Sequence, residues 1–248
     1  LLKFPACRKD NKIMKEKDIF GMAMKAYYFK KDKTPIIVHS PDFDDDEIAI
    51  KYLFRNFSEM PKTEQQALKL AYGDVLDVGC GAGSHTLYLQ QKNIKVKAID
   101  TSEGAIDIAK ERGVLDAEVK DFYAESGKYD TLLFLMNGTG IIGNLINTDN
   151  FLNICKEVLK PDGQILIDSS DLSFLEDNEE PNDDLNRKYI GEIDFCISYK
   201  GEKSDYFPWL YMDFDLLKLA AQKNDFNCEL IVEGEHYDYL AKLTIKND

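Results

Sequence analysis

A short apolar run that ends in three alternating glycines constrains the fold of this chain more than any other feature. Residues 75–78 read Val-Leu-Asp-Val, and Gly79, Gly81 and Gly83 follow. An apolar run of this length closed by glycines predicts a buried parallel strand that turns directly into a helix. Such glycines let the backbone approach a ligand closely, and the next helix offers unpaired N–H groups. The segment therefore predicts an α/β sheet with a ligand site at its carboxyl edge.

Strand-like and helix-like segments alternate from this point to residue 168. A turn is predicted at Lys160-Pro161-Asp162-Gly163, before the last strand. The alternation predicts βαβ units and a parallel sheet. Predicted strands cover residues 94–99, 118–119, 129–136 and 164–168, and predicted helices cover 84–91, 102–113 and 151–159.

The C-terminal part departs from this alternation. Residues 189–199 and 206–212 predict two strands of a hairpin, and Asp213 is a predicted helix cap. Residues 228–233 and 239–245 predict a closing antiparallel pair around a glycine.

The N-terminal part predicts helices and a single strand at residues 36–39. We expect residues 1–70 to form a cap on the substrate side of the sheet edge. Residues 71–248 are then expected to form the ligand-binding domain, with a hairpin insertion at residues 185–212.

Charge disfavours a nucleic-acid partner. The formal net charge is −14, and an acidic surface repels phosphate backbones unless a basic patch offsets it. The best basic candidates, residues 3–17 and 30–33, are interrupted or flanked by acids. The acidic stretches at 42–47 and 176–184 are expected to be solvated, without metal-ligand spacing.

Cysteine usage and hydropathy predict a cytoplasmic protein. The chain has no apolar run near the roughly 18 residues that span a bilayer, and residues 1–10 are too charged for the core of a secretory signal. Neither a disulfide framework nor a metal site is expected from the five cysteines, which are Cys7, Cys80, Cys155, Cys196 and Cys228.

Two aspartates suggest which ligand the glycine loop serves. Asp100 ends the next predicted strand, 17 residues after Gly83, where a carboxylate can accept hydrogen bonds from a ribose diol. A dinucleotide loop would have glycine where this chain has Ser84. A carboxylate at Asp77 would also be awkward beside a pyrophosphate, whereas it suits an ammonium group.

Four motifs in sequence order resemble those of class I S-adenosylmethionine-dependent methyltransferases. Residues 77–83 (Asp-Val-Gly-Cys-Gly-Ala-Gly) resemble the first motif, and Asp100 resembles the acid that binds the ribose. The pair Asp121 and Phe122 resembles the residues bordering the adenine, and residues 159–164 are similar to the turn before the fifth strand. The resemblance implies a doubly wound, mostly parallel seven-stranded sheet whose last strand is antiparallel.

The resemblance also implies the cofactor and its contacts. The cofactor would be S-adenosyl-L-methionine, with no metal. The implied cofactor-binding residues are Asp77, Gly79, Cys80, Gly81, Gly83, Asp100, Thr101, Asp121, Phe122, Met136 and Asn137. For Cys80, only the backbone is expected to matter.

The acceptor side has candidates but no motif. Asn137 follows a predicted strand, without the prolines and aromatic residue of enzymes that methylate nucleobase or glutamine nitrogens; a loop-capping amide is the alternative. The aromatic cluster at residues 206–211 predicts either hairpin packing or a pocket wall. The candidates for contact with the acceptor are Asn137, Asp168, Tyr206, Trp209 and His236.

The two other histidines carry less information. His85, at the start of the helix after the glycine loop, is expected to be a first-turn surface residue. His39 is too isolated in the sequence to assign.

The predicted function is methyl transfer to an unidentified acceptor, favoured to be a small molecule, by a monomer or homodimer without a membrane partner. The alternatives are a non-catalytic S-adenosylmethionine-binding protein and a nicotinamide-dependent oxidoreductase. Within the same class, a protein or RNA methyltransferase remains open.

Overall fold

A computed structural model describes residues 17–178 and 188–246 of the chain. Its helices are α1 (Ile19–Lys30), α2 (Lys62–Leu70), α3 (Ser84–Gln91), α4 (Glu103–Glu111), α5 (Thr148–Val158) and α6 (Phe214–Lys223). Its strands are β1 (Ile36–His39), β2 (Asp46–Ile48), β3 (Asp74–Val78), β4 (Lys95–Asp100), β5 (Ala117–Val119), β6 (Tyr129–Phe134), β7 (Leu159–Ser170), β8 (Glu192–Tyr199), β9 (Glu202–Lys203), β10 (Phe207–Leu210), β11 (Phe226–Glu233) and β12 (Asp238–Ile245).

The main sheet has seven strands in the order β11-β12-β7-β6-β3-β4-β5. Strands β3 to β7 pair in parallel, and β12 is antiparallel to both of its neighbours. The predicted fold class is therefore confirmed, including the antiparallel last strand. The carboxyl ends of β3, β4 and β6 lie at one edge because these strands are parallel, and the strand order reverses beside β3, which is where α/β sheets bind ligands.

The predicted turn at residues 160–163 is wrong, because these residues belong to β7. Pairing between β6 and β7 jumps from Tyr129 with Leu159 to Thr131 with Gln164. The intervening residues form a bulge. The Nζ atom of Lys160 holds this bulge in place by donating to Asp74 and Asp130, both at 2.7 Å.

Helices cover both faces of the main sheet, as its buried strands require. On one face α5 and α6 pack against Phe134 and Ile167, and on the other α2 and α3 pack against Val75 and Leu133. The two predicted caps hold: the Ser102 side chain accepts from the backbone N–H of Ala105, and Asp213 caps α6 in the same way.

A second, antiparallel sheet joins the N-terminal part to the hairpin. Its order is β10-β8-β1-β2, with β9 beside β8. Strand β1 coincides with the predicted strand and pairs with β8, placing Val38 opposite Ile197. Helix α1 packs on this sheet through Ile19 and Ala23. The N-terminal part and the hairpin therefore form one layer, although about 150 residues separate them in the chain.

Part of the predicted acidic run is structured, since residues 46–48 form β2. The charged start at residues 1–10, nearly all of the basic stretch at 3–17 and most of the acidic stretch at 176–184 lie outside the described residues. Among the helices that the structure describes, none is long and apolar enough to cross a membrane.

Candidate active site

A cavity of about 1610 Å³ lies between the carboxyl edge of the main sheet and the inner face of the second sheet. Most of the predicted site residues line it together. These are Gly79, Cys80, Gly81, Asp100, Thr101, Asp121, Phe122, Met136, Asn137, Asp168, Trp209 and His236. Three predicted residues, Asp77, Gly83 and Tyr206, are not part of its wall.

The glycine loop opens its backbone toward the cavity. The N–H groups of Gly79 and Cys80 both donate to the carbonyl of Ile99, at 2.9 and 3.1 Å, which fixes the turn after β3. No heavy atom lies within 4 Å of the place where a Cβ of Gly81 would stand. The space beside Gly81 is therefore free for a ligand.

Gly83 allows close packing of the loop on Val114. It has a φ of +78°, and a Cβ there would lie 2.6 Å from Cγ2 of Val114. A glycine is needed because both its left-handed backbone and this close approach exclude a side chain. Its direct contact with the cofactor stays a prediction.

Asp100 organises the loop and the start of the next helix. Its Oδ2 accepts from the Gly81 N–H at 2.9 Å, and its Oδ1 accepts from the Ser102 N–H at 2.8 Å. Burial raises the pKa of this carboxyl, although the two backbone hydrogen bonds oppose that shift. Each oxygen keeps a second lone pair, so Asp100 can still accept from a diol in the cavity.

Asp18, which sequence reasoning did not single out, reinforces this corner. Its carboxylate caps α1 and also accepts from the Ser102 hydroxyl at 2.7 Å and the Gly104 N–H at 2.8 Å. One side chain thereby joins the N-termini of α1 and α4, where negative charge is favourable.

Asp77 is buried behind the loop. It is 2% exposed and accepts from the Thr86 hydroxyl at 2.5 Å. Burial raises the pKa of its carboxyl. Asp77 lies outside the cavity wall and supports the start of α3 through Thr86, and its contact with an ammonium group stays a prediction.

The two residues predicted to border the adenine, Asp121 and Phe122, have different environments. Asp121 is exposed and accepts from the Tyr123 N–H at 3.0 Å. The Phe122 ring is 2% exposed and packs edge-to-face on Phe134. The ring belongs to the hydrophobic core and also borders the cavity, and its place beside the adenine stays a prediction.

The loop after β6 is strained. Met136 and Asn137 have φ angles of +70° and +57°, a conformation that costs non-glycine residues of order 1–3 kcal/mol each. Asp168 holds them: its Oδ2 accepts from the Met136 N–H at 3.0 Å and its Oδ1 from the Gly138 N–H at 2.9 Å. The Asn137 amide oxygen accepts from the Ser170 hydroxyl at 2.9 Å.

Asp168 therefore acts by fixing the conformation of the loop after β6. Each of its oxygens accepts from one backbone donor, and burial raises its pKa to about 7. The carboxylate fixes residues that line the cavity, which makes it a positioning residue, and its contact with the acceptor stays a prediction.

A buried charged cluster next to the loop escaped sequence reasoning. Glu64 accepts from Arg55 and lies 2.6 Å from Nε2 of His85. Glu64 is 2% and Arg55 4% exposed. Although burial alone lowers the pKa of His85, its hydrogen bond to Glu64 and the charge of Asp77 raise the pKa overall. The cluster ties α2 to α3 at the cavity floor.

The expectation that His85 is a surface residue is wrong, because α2 covers the first turn of α3 and Glu64 supplies a partner. No signal in the sequence indicates this, since Arg55 and Glu64 stand in a segment without a motif.

The inner face of the second sheet supplies the opposite wall. Phe195, Phe207, Trp209 and Tyr211 all line the cavity. Tyr206 is 57% exposed and is not part of the cavity wall, and its contact with the acceptor stays a prediction. His236 is exposed at the rim.

His39 lies on β1 but outside the cavity wall. Its Nδ1 lies 2.8 Å from Asp45, and its Nε2 lies 2.8 Å from the Ser198 hydroxyl. It therefore ties β1 to β8 and to the loop that leads into β2.

The residues present fit a nucleoside. The open space at Gly81 and the remaining lone pairs of Asp100 lie together at the sheet edge, in the wall of the cavity. Drug-sized ligands occupy sites of about 300–1,000 Å³, so a cavity of about 1610 Å³ has room for a second ligand.

Comparisons with known proteins agree with this geometry. A family model described as a methyltransferase domain matches residues 75–163. A solved structure of a SAM-dependent methyltransferase from Bacteroides fragilis, in complex with S-adenosyl-L-homocysteine, is 45% identical. It covers 93% of this chain and 96% of that chain, with a TM-score of 0.86.

More distant comparisons show the fold or a short segment. A methyltransferase structure from Clostridium acetobutylicum is 16% identical, with a TM-score of 0.58, over 77% of this chain and 94% of that one. A curated 2-heptyl-1-hydroxyquinolin-4(1H)-one methyltransferase from Mycobacteroides abscessus is 32% identical over 71 residues. That match spans 25% of this chain and 31% of the relative's own length.

Proposed function

The chain belongs to the class I S-adenosylmethionine-dependent methyltransferases, and we propose that it methylates a small molecule. S-Adenosyl-L-methionine is the cofactor. When bound, it supplies an electrophilic methyl group on a sulfonium, so the chemical reactivity resides in the cofactor.

The single observation that carries the proposal is the aromatic wall that the second sheet places opposite the glycine loop. The second sheet covers the cavity with apolar side chains on the side opposite the glycine loop. A folded protein or an RNA duplex needs an open, extended surface instead. The net charge of −14 also opposes nucleic acid.

The chain's own residues contribute alignment and exclusion of water. Gly81 and Asp100 orient the nucleoside, while the strained loop at Met136 and Asn137, fixed by Asp168, shapes the space between cofactor and acceptor. Correct placement of two reactants alone lowers a barrier strongly. An acceptor atom that already carries a free lone pair needs no base.

A relative and the composition of the cavity support a small acceptor. The Mycobacteroides abscessus enzyme acts, by its name, on a hydroxyquinolone, which is a small planar molecule. Aromatic side chains in this cavity are suited to such compounds.

Calorimetric titration with S-adenosylhomocysteine (SAH) tests the cofactor site first. We expect micromolar binding, loss of that binding in Asp100→Ala and no heat with NAD(H). Transfer of a radiolabelled methyl group to a panel of small aromatic acceptors then tests turnover.

Each alternative predicts a different result. Binding of NAD(H) alone would support an oxidoreductase. Tight SAH binding, with labelling of RNA or protein and none of the small acceptors, would reject the small-molecule proposal. SAH binding without any labelling would favour a non-catalytic binding protein.

A further inference from the structure

Four aromatic side chains form one continuous surface on the inner face of the second sheet. We call Phe195, Phe207, Trp209 and Tyr211 the aromatic platform. Strands β8 and β10 are paired so that Phe207 lies opposite Phe195 and Trp209 opposite Ile193. All four rings therefore share the face that lines the cavity.

The position of Trp209 is fixed by the loop after β6. A Cβ at Gly140 would overlap the Trp209 ring, so the indole packs directly on the bare backbone of that glycine. The hydroxyl of the preceding residue, Thr139, donates to the carbonyl of Leu210 at 2.8 Å. The platform is thereby joined to the same loop that Asp168 holds in its strained conformation.

Charge around the cavity disfavours an anionic acceptor. Four lysine or arginine residues in the described part of the chain line it, and each is paired with an acid. The pairs are Lys17 with Glu202, Arg55 with Glu64, Lys62 with Glu235 and Lys120 with Glu125. A buried anion needs a cationic partner to offset its lost hydration.

Negative charge, in contrast, lies close to the platform. Asp44 and Asp46 line the cavity and are exposed. Burial, followed by the charge of Asp46, raises the pKa of Tyr211. Aromatic faces and a nearby carboxylate both favour a cation over an anion.

We propose that the aromatic platform is the acceptor subsite and that it selects a neutral or cationic planar ring over an anionic one. The inference rests on the proposed function, which it deepens by naming the acceptor class. Trp209 is the specificity-determining residue, held in place by Gly140.

The single tryptophan of the chain makes the test direct. Incorporation of 5-fluorotryptophan gives one fluorine resonance, which reports on Trp209. In the presence of saturating SAH, this resonance is followed during titration with 2-naphthalenemethanol, 2-naphthylmethylamine and 2-naphthoate. These probes share a ring and differ in charge.

We expect the alcohol and the amine to shift the resonance, and the carboxylate to bind at least about tenfold more weakly. Phe195→Ala should weaken the response of both binding probes by about tenfold. Tyr206→Ala, which removes an aromatic ring outside the cavity wall, should leave it unchanged. Gly140→Ala should move the resonance before any probe is added.

Two outcomes would overturn the inference. One is an absent probe response in a chain that still binds SAH, and the other is a carboxylate that binds as well as the alcohol. SAH calorimetry on every variant separates a folded protein with an altered subsite from a misfolded one. Failure of the unaltered chain to bind SAH would reject the proposed function itself, a different result.

Discussion

The two walls of the cavity are built in different ways. The cofactor wall comes from consecutive units of one sheet, and it offers backbone N–H groups and carboxylates at strand ends. The acceptor wall comes from β1 and, about 150 residues later in the chain, from the hairpin strands β8 and β10, and it offers apolar side chains.

The two walls differ in whether adjacent residues or residues far apart in the chain specify their geometry. A turn between a strand and a helix is specified by a few adjacent residues, because only glycine tolerates its backbone geometry. A wall formed by paired strands depends on register across the whole chain. The cofactor wall is therefore expected to keep its geometry when residues of the acceptor wall are changed. The acceptor wall is expected to be more sensitive to changes in the cofactor wall.

The largest effect is expected at Glu64, at the cavity floor. Glu64→Ala leaves Arg55 buried without its carboxylate, and breaking a buried ion pair costs about 3–5 kcal/mol. The free energy of unfolding, from urea denaturation at pH 7, should fall by that amount. SAH affinity should fall with it, because His85 begins α3 beside the glycine loop.

Glu64→Gln is the matched control. The amide keeps the shape of the side chain and one acceptor oxygen, so its loss of stability should be clearly smaller. Equal losses in the two variants would show that the charge of Glu64 is unimportant and that packing alone holds this junction.

A smaller effect, confined to the cofactor wall, is expected for Asp100→Ala. The change leaves the Gly81 and Ser102 N–H groups without their acceptor. It also removes the predicted partner of the ribose. A loss of about 2–3 kcal/mol in binding corresponds to roughly 30- to 200-fold weaker SAH affinity.

Asp107→Ala provides the comparison for Asp100→Ala. Asp107 lies on α4 and pairs with Lys25 at the surface, so its loss should leave SAH affinity within twofold. If Asp107→Ala weakened SAH binding as much as Asp100→Ala, the effect would belong to the position of α4 and not to a ligand contact.

Sequence reasoning predicted most of the main sheet, because glycines, helix caps and apolar periodicity act over short distances. Helix α3 and strand β1 have the predicted bounds. The error at residues 160–163 arose because Pro161 and Gly163 are typical of turns, whereas pairing with β6 and the bonds of Lys160 keep the segment in the sheet.

The candidate site was predicted only in part, for the same reason. Motif residues such as Gly81 and Asp100 lie where they were expected. Asp77 and Phe122 are buried by neighbours that the motif does not encode. The pairing of Arg55 with Glu64 depends on how α2 packs on α3, and no local pattern carries that information.

A more moderate effect is expected at Asp168, which connects the two walls through the strained loop. Asp168→Asn places an NH₂ group against one of two backbone donors, so one N–H loses its acceptor. The expected loss of stability is about 1–2 kcal/mol. Urea denaturation at pH 5 and pH 8 measures it.

The loss of stability in Asp168→Asn should depend on pH in a defined direction. Burial raises the pKa of Asp168 from 3.8 to about 7, so folding favours its protonated form. Its contribution to stability is full below pH 4 and declines between about pH 4 and 7. The difference in unfolding free energy between the native chain and Asp168→Asn should therefore become smaller as the pH rises from 5 to 8. If this difference became larger instead, the backbone donors would be keeping the carboxylate ionised.

The smallest effect is expected on the second sheet away from the cavity wall. Ser198→Ala removes the hydroxyl bonded to Nε2 of His39 and loosens one link between β1 and β8. A single partly exposed hydrogen bond of this kind contributes about 0.5–1 kcal/mol. The unfolding free energy should fall by that amount, while SAH affinity and the fluorine resonance of Trp209 stay unchanged. A shifted resonance would instead show that this link sets the position of the acceptor wall, and the two faces of the sheet would then have to be treated as one unit.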